Sequence, residues 1–266
     1  MNSQQLLSYH DKGQCWPQAI SSTPGYDINA AYRDALTVRD LRIARGEIPR
    51  GYKIGFTNRT IWTRYNVFGP VWGTVWNTTL TFCSGYQGLS LNGICQPRIE
   101  PEIVFGFKET PKSDATLEDI YKSLGWIAPG FEIVQSHMPD WKFEATDTIA
   151  DGGLHGRLIV GEKSSVFSIS KSANELHELL AKATATLFRD GDQVEAGVGT
   201  NVLDSPLNAL AHFLKELRSC PGSTDIKPGD VVTTGTWTDA YPVKSGESWR
   251  VSFSLPKTSL TVHFED

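Results

Sequence analysis

The sequence predicts an α+β protein that is mostly β, with a small helical region ahead of a strand-rich body. Three observations carry this. Residues 1–50 are largely polar, with apolar side chains at helical spacing, whereas from Gly51 onward short β-prone runs are broken by Gly and Pro. The helical stretches beyond Gly51 do not alternate with strands in the βαβ rhythm that builds a doubly wound parallel sheet. A chain of 266 residues, 39% hydrophobic and 21% charged, is also ordinary for a folded protein with a substantial core. The expected division is a helical cap over 1–50 and a main domain over 51–266.

Taken in order, residues 3–10 read as a short helix, followed by a link to Pro24 in which Trp16 is a packing anchor. Asp27 suits the N-cap of a helix over 28–45, with Ile28, Ala31, Tyr32, Ala35 and Leu36 at helical spacing and Gly46 ending it. Residues 51–57 read as a strand that sets Lys53 among apolar neighbours. The stretch 68–76 holds too many aromatics for a plain loop. Then come a strand over 98–105, a helix over 117–124 and an apolar run over 126–134 around Glu132. Residues 147–156 are glycine-rich and carry Asp147, Asp151 and His155. A helix over 173–181 leads to a hairpin of 183–189 and 193–196, turned by Asp190-Gly191. Asp204 or Ser205 caps a helix with Pro206 in its first turn, running through 207–217. The tail is strand-like over 230–236, 249–254 and 259–264.

Composition narrows the function. A formal charge of −5 argues against nucleic-acid and anionic-membrane partners, both of which select basic surfaces. Four cysteines without a C-x-x-C spacing give no zinc signature and no disulfide framework. The first fourteen residues lack the apolar core of a signal peptide and no run reaches membrane-spanning length, so a cytoplasmic location is expected. Gly197-Val198-Gly199 lacks the third glycine of a dinucleotide fingerprint, and no nucleophile elbow is present.

Chemistry concentrates on Arg98-Ile99-Glu100-Pro101-Glu102-Ile103-Val104-Phe105. In a strand Glu100 and Glu102 point the same way, and two bare like charges that close repel. Spacing alone leaves two readings open: a site for a hard divalent cation, or a solvated edge strand, which Pro101 would fit. Glu132, also with apolar flanks, would complete a three-carboxylate site that leaves positions for water and a chelating substrate. Lys53 is the natural partner, since a lysine in an apolar setting tends to a depressed pKa and can shuttle protons. The bland alternative is a snorkelling edge lysine. His155 is the one histidine in a glycine-rich, acid-containing loop, though lone histidines are more often structural.

The chain resembles the fumarylacetoacetate hydrolase superfamily, and within it the 2-keto-4-pentenoate hydratase and 4-oxalocrotonate decarboxylase branch. The resemblance runs from about Asp27 to Phe264. It is carried by Gly51-Tyr52-Lys53-Ile54-Gly55, Pro97-Arg98-Ile99-Glu100-Pro101-Glu102-Ile103, Glu132-Ile133-Val134 and Asp140-Trp141-Lys142. Asp147-Thr148-Ile149-Ala150-Asp151, Pro206-Leu207-Asn208-Ala209, Lys227-Pro228-Gly229-Asp230 and Thr234-Gly235-Thr236 continue it. The family's metal ligands fall on Glu100, Glu102 and Glu132 and its active-site lysine on Lys53, which favours the cation reading. The resemblance implies a mixed, rolled β-sheet, Mg²⁺ or Mn²⁺, a homo-oligomer and small 2-oxo acid or dienol substrates from aromatic-compound breakdown. It implies hydration of a 2-hydroxy-2,4-dienoate to a 4-hydroxy-2-oxo acid, with 4-oxalocrotonate-type decarboxylation or acylpyruvate C–C hydrolysis as alternatives.

Two departures stand out. Hydratases usually read Pro-Asp-Phe-Gly where this chain has Pro70-Val71-Trp72-Gly73, and Asp-Asn-Ala-Ser where it has Asp151-Gly152-Gly153-Leu154 before His155. Trp72, Thr236 and Trp237 are therefore expected to bind substrate in an altered pocket. His155 and Asp151 are expected to join Lys53 in catalysis, His155 as an acid or base missing elsewhere.

Overall fold

The structure is a computed structural model and describes residues 1–265. Two helices open the chain, α1 (Ser3–Lys12) and α2 (Ile28–Ala44). Asn2 and Gln5 form a capping box on α1, and the Asp27 carboxylate accepts the Ala30 amide at 2.7 Å on α2. Gly46, at φ +99°, lets the chain turn out of α2. Then follow β1 (Pro49–Gly55), α3 (Trp62–Tyr65), β2 (Val71–Trp76), β3 (Leu80–Phe82), β4 (Tyr86–Ser90), β5 (Arg98–Phe107), α4 (Leu117–Ser123), β6 (Leu124–Val134), α5 (Ala145–Ala150) and β7 (His155–Val160). The second half adds β8 (Ser164–Ser165), α6 (Val166–Ile169), α7 (Ala173–Lys182), β9 (Thr184–Arg189), β10 (Asp192–Val198), α8 (Pro206–Ser219), β11 (Val231–Thr233), β12 (Tyr241–Pro242), β13 (Ser248–Ser254) and β14 (Lys257–Glu265). Asp190 and Gly191 both take positive φ, as a two-residue hairpin turn requires, and Ser205 rather than Asp204 caps α8.

The strands form two sheets. One runs β2-β1-β11-β5-β6-β7-β3, with β12 added to β5 and β8 to β6; the other runs β10-β9-β13-β14-β4. The fold is thus α+β, mostly β, as expected. The first sheet is rolled. Lys53 on β1 and Glu132 on β6 are three strands apart in the ladder, roughly 14 Å along a flat sheet, yet their charged ends lie 3.1 Å apart. Only a curled sheet brings them together.

Period-two alternation then sorts the side chains. Ile99, Ile103 and Phe105 of β5, Ile127, Phe131 and Ile133 of β6, and Tyr52 and Ile54 of β1 face outward, into the main core shared with the second sheet and α8. Val104, Ala128, Leu158, Val160, Val231 and Val75 face inward and fill one end of the roll with small side chains. Glu100, Glu102, Glu132 and Lys53 share that inward parity. A separate cluster of Leu6, Trp16, Ile20, Ala31, Met138 and Ile149 packs the N-terminal helices against α5, with Trp16 buried as an anchor.

Pro101 does not sit on an edge. β5 is central, paired with β6 along its length, with β11 covering Val104–Gly106 and β12 covering Arg98–Ile99. Between those two covers the chain leaves the ladder as an irregular segment over 234–240. Proline is tolerated because no strand neighbours β5 there on that side; the Pro101 carbonyl accepts the Trp237 amide instead. For the same reason the strand expected over 230–236 stops at Thr233.

Candidate active site

One carboxylate oxygen from each of Glu100, Glu102 and Glu132 lies within 4.8 Å of the others. Glu100 faces Glu132 directly across the β5–β6 ladder, and Glu102 pairs with Gly130, where no side chain competes for the space. Glu102 and Glu132 are fully buried. Burial, with the neighbouring acids adding to it, pushes Glu100 up to about 7 and holds Glu102 well above the carboxylate range. Burial also acts on Glu132, but Lys53 and His155 outweigh it and hold that group down.

Lys53 is buried, and its Nζ donates to the Gly153 carbonyl at 2.8 Å and lies 3.1 Å from Glu132 Oε2. The depressed lysine pKa expected from its apolar neighbours is not found. Burial pulls it down, but Glu132, Glu100 and Glu102 more than offset that, and the ammonium form is favoured. Across the β1–β2 ladder from Lys53 stands Gly73, on which the 152–153 turn rests. A Cβ at Gly73 would lie 1.8 Å from the Gly152 carbonyl oxygen. Gly73→Ala is therefore expected to displace the 152–153 turn, and with it the Gly153 carbonyl that holds Lys53, destabilising the fold by about 1–3 kcal/mol and lowering kcat more than the stability loss explains. Thermal melts and steady-state rates on one preparation test this; a variant with unchanged Tm and rate refutes it.

Once ionised, three carboxylates against one ammonium leave an excess of two negative charges inside the roll, the charge a divalent cation carries. Glu102 Oε1 is buried with no hydrogen-bond partner among the described residues, although Gly235 N–H donates to Oε2 at 2.6 Å. An orphaned buried carboxylate oxygen beside two more carboxylates is the donor set that hard oxygen-seeking cations take.

A cavity of about 650 Å³ opens beside Lys53 and Glu100. Phe56, Tyr65, Phe143 and Trp141 form a run of ring contacts along one wall, Thr236 and Trp237 stand on another, and Arg64 and Arg98 also line it. Thr236 and Trp237 thus line this cavity, and three other residues singled out from the sequence, Trp72, Asp151 and His155, do not. Trp72 has the opposite strand parity to Gly73, so it points out of the roll, between Tyr32 and Tyr52. Asp151 is turned to His137, accepting from Nδ1 at 2.6 Å and the backbone N–H at 3.0 Å, away from the pocket. His155 lies behind Glu132. A register shift where β6 meets β7 places it there, with Nδ1 2.8 Å from Glu132 Oε1 and Nε2 2.8 Å from the Thr79 hydroxyl. Burial lowers its pKa despite Glu132, so the neutral ring donates from Nδ1 and accepts at Nε2.

With both nitrogens engaged, His155 orients Glu132 and does not meet substrate. His155→Ala is expected to weaken Mn²⁺ binding by about 10–100-fold while leaving the pocket's affinity for a non-chelating monoacid unchanged. Mn²⁺ titration followed by electron paramagnetic resonance reads this, and wild-type affinity would reduce His155 to a packing residue. Arg98 escaped functional notice in the sequence although its spacing from Glu100 and Glu102 placed it on their face. Phe56, Tyr65 and Phe143 carry no local signal; folding alone assembles that wall.

The rolled mixed sheet, whose interior holds three carboxylates and a lysine, shares its fold with a solved protein described as a fumarylacetoacetate isomerase/hydrolase from Oleispira antarctica, with a TM-score of 0.59 at 17% identity over 82% of this chain and 93% of that one. No family model matches the chain. It is 30% identical to the 2-hydroxyhexa-2,4-dienoate hydratase of Comamonas testosteroni over 84% of this chain and 81% of that one. It is 25% identical to the 2-oxo-hept-4-ene-1,7-dioate hydratase of Escherichia coli over 94% and 92%. Among solved structures, 4-oxalocrotonate decarboxylase from Pseudomonas putida G7, complexed with magnesium and adipate, superposes with a TM-score of 0.87 at 22% identity, covering 98% of this chain and 95% of that one. Fumarylpyruvate hydrolase from Pseudomonas aeruginosa, with Mn²⁺ and pyruvate, gives 0.60 at 13% identity over 82% and 90%. The chain belongs to the 2-keto-4-pentenoate hydratase family, a family of hydro-lyases.

Proposed function

We propose that the protein adds water to a 2-hydroxy-2,4-dienoate, through its 2-oxo-enoate form, to give a 4-hydroxy-2-oxo acid. The observation that carries this is the cluster of Glu100, Glu102 and Glu132 facing Lys53, of which Glu100 and Lys53 line the large cavity. These three glutamates would hold Mg²⁺ or Mn²⁺. When bound, such a cation supplies Lewis-acid chemistry toward the carboxylate and adjacent oxygen of a 2-oxo acid. Lys53, held as an ammonium by the Gly153 carbonyl and the carboxylates, supplies the proton that converts dienol to 2-oxo-3-enoate. His155 and Thr79 keep Glu132 in one orientation. The aromatic wall, with Thr236 and Trp237 opposite, holds the substrate chain and excludes bulk water. Residues 1–50 serve as a helical cap on the catalytic domain over 51–266, and the working enzyme is a cytoplasmic homo-oligomer without nucleic-acid or membrane partners. No helix among the described residues is long and apolar enough to cross a membrane.

A second reading is decarboxylation of a 2-oxo acid bearing a further carboxylate. Arg64 and Arg98 favour it, because both line the pocket and neither has a carboxylate partner among the described residues; Arg98 donates to the Ala240 carbonyl at 3.4 Å. Metal-loaded protein supplied with 2-hydroxy-2,4-dienoates, with and without a distal carboxylate, separates the two. Loss of dienol absorbance without CO₂ release supports hydration, CO₂ release supports decarboxylation, and inactivity toward the whole set refutes both.

A further inference from the structure

Cys15 lies just after α1, and Cys95 lies on the segment that leads into β5. They are 80 residues apart in sequence, yet their Sγ atoms are 3.7 Å apart. Their backbones are tied to one intervening segment. The Trp16 amide donates to the His137 carbonyl at 2.6 Å, the Ser136 amide donates to the Cys95 carbonyl at 3.1 Å, and the Cys95 amide donates to Gln135 Oε1 at 3.1 Å. Gly13 also meets the backbone of Gly93, where any Cβ would come within 2.8 Å. The approach of the two sulfurs is therefore fixed by neighbouring main chain. Cys15 is exposed and Cys95 is buried.

We infer that Cys15 and Cys95 are a disulfide-forming pair, a modification site that staples the N-terminal link to the segment entering β5. The oxidant is of the peroxide class. Exposed Cys15 meets it first: its sulfur attacks one peroxide oxygen, the O–O bond breaks, and one water leaves a sulfenic acid behind. The Cys95 sulfur, giving up its proton, then attacks the Cys15 sulfur and displaces the hydroxyl as a second water. Two thiols lose two electrons and two protons in total, and one hydrogen peroxide becomes two waters. Burial, together with the contact to Cys15, pushes the Cys95 thiol up to about 12, which keeps it protonated until a sulfenic acid stands beside it. Neither sulfur lines the large cavity, so this site is separate from the chemistry at Lys53.

The test uses the full chain, treated with one equivalent of hydrogen peroxide. Two of its four thiols should disappear from a thiol titration. Non-reducing peptide mapping should find one linked pair containing residues 15 and 95. The oxidised protein should melt about 5 °C or more above the reduced one, because the link closes a long loop in the unfolded chain, and dithiothreitol should reverse the shift. Cys15→Ser, at an exposed position, should lose both the link and the shift, whereas Cys83→Ser should keep them. Peroxide that converts Cys15 to a sulfinic acid with Cys95 still reduced, or that yields only intermolecular dimers, overturns the assignment.

Discussion

Glu102→Gln is expected to lower kcat/KM by roughly 1,000-fold, ~4 kcal/mol of transition-state stabilisation, and to weaken Mg²⁺ and Mn²⁺ binding severely. The substitution keeps the shape of the side chain and its contact with Gly235, and removes the carboxyl that must ionise to hold a cation within 4.8 Å of Glu100 and Glu132. Two outcomes should separate. Without cation, the variant should be more stable than the wild type at neutral pH, because burial holds Glu102 well above the carboxylate range and folding must therefore protonate it, a cost that glutamine does not carry. With cation, that order should reverse. Melting curves with and without Mn²⁺, beside isothermal titration, read both effects. Unchanged Mn²⁺ affinity in Glu102→Gln would remove the metal assignment and with it the proposed chemistry.

Lys53→Met should act on the other side of the balance. Methionine fills the same channel between Gly73 and Gly153 without a charge. Because Lys53 is the ammonium that faces the cluster, kcat is expected to fall by about 10²–10⁴ from loss of the proton donor. Cation affinity should persist, since the three carboxylates remain. Leaving them with no countercharge should cost the cation-free protein about 3–5 kcal/mol, the scale for breaking a buried pair, and saturating Mn²⁺ should restore most of it. If Lys53→Met keeps kcat within tenfold of wild type, the proton donor lies elsewhere.

These expectations rest on residues that the sequence made visible for simple reasons. Glu100 and Glu102 were readable because a strand has a period of two, and Glu132 and Lys53 because charges among apolar neighbours need partners. The same period, applied to Pro70-Val71-Trp72-Gly73, would have set Trp72 opposite in face to Gly73 and so outside the roll, as found. The pairing of Asp151 with His137 and the place of His155 behind Glu132 depend on contacts between strands and on a register shift, which no local pattern encodes. Spacing also gave no reason to join Cys15 to Cys95, because the segment that ties them, 135–137, follows Cys95 by forty residues. The strand over Tyr86–Ser90 went unread for a similar cause: its partner, β14, is at the far end of the chain.

The gap beside Pro101 has one more consequence. Where β11 and β12 leave β5 uncovered, the segment 234–240 fills in with backbone contacts and one threonine hydroxyl: Thr234 Oγ1 to the Ile103 carbonyl, Gly235 N–H to Glu102 and Trp237 N–H to the Pro101 carbonyl. Gly235, at φ +96° and with Thr57 Oγ1 1.9 Å from any added Cβ, is the one position there that admits no side chain. Thr236, Trp237, Thr238, Asp239 and Ala240 meanwhile all present themselves to the cavity. The segment is in effect an exchangeable cassette, anchored through main-chain atoms and the core-packed Trp237, with Thr236, Asp239 and Ala240 as the cavity-facing side chains most free to change. Directed evolution of tail preference would begin there, with the glutamates and the ladder left untouched.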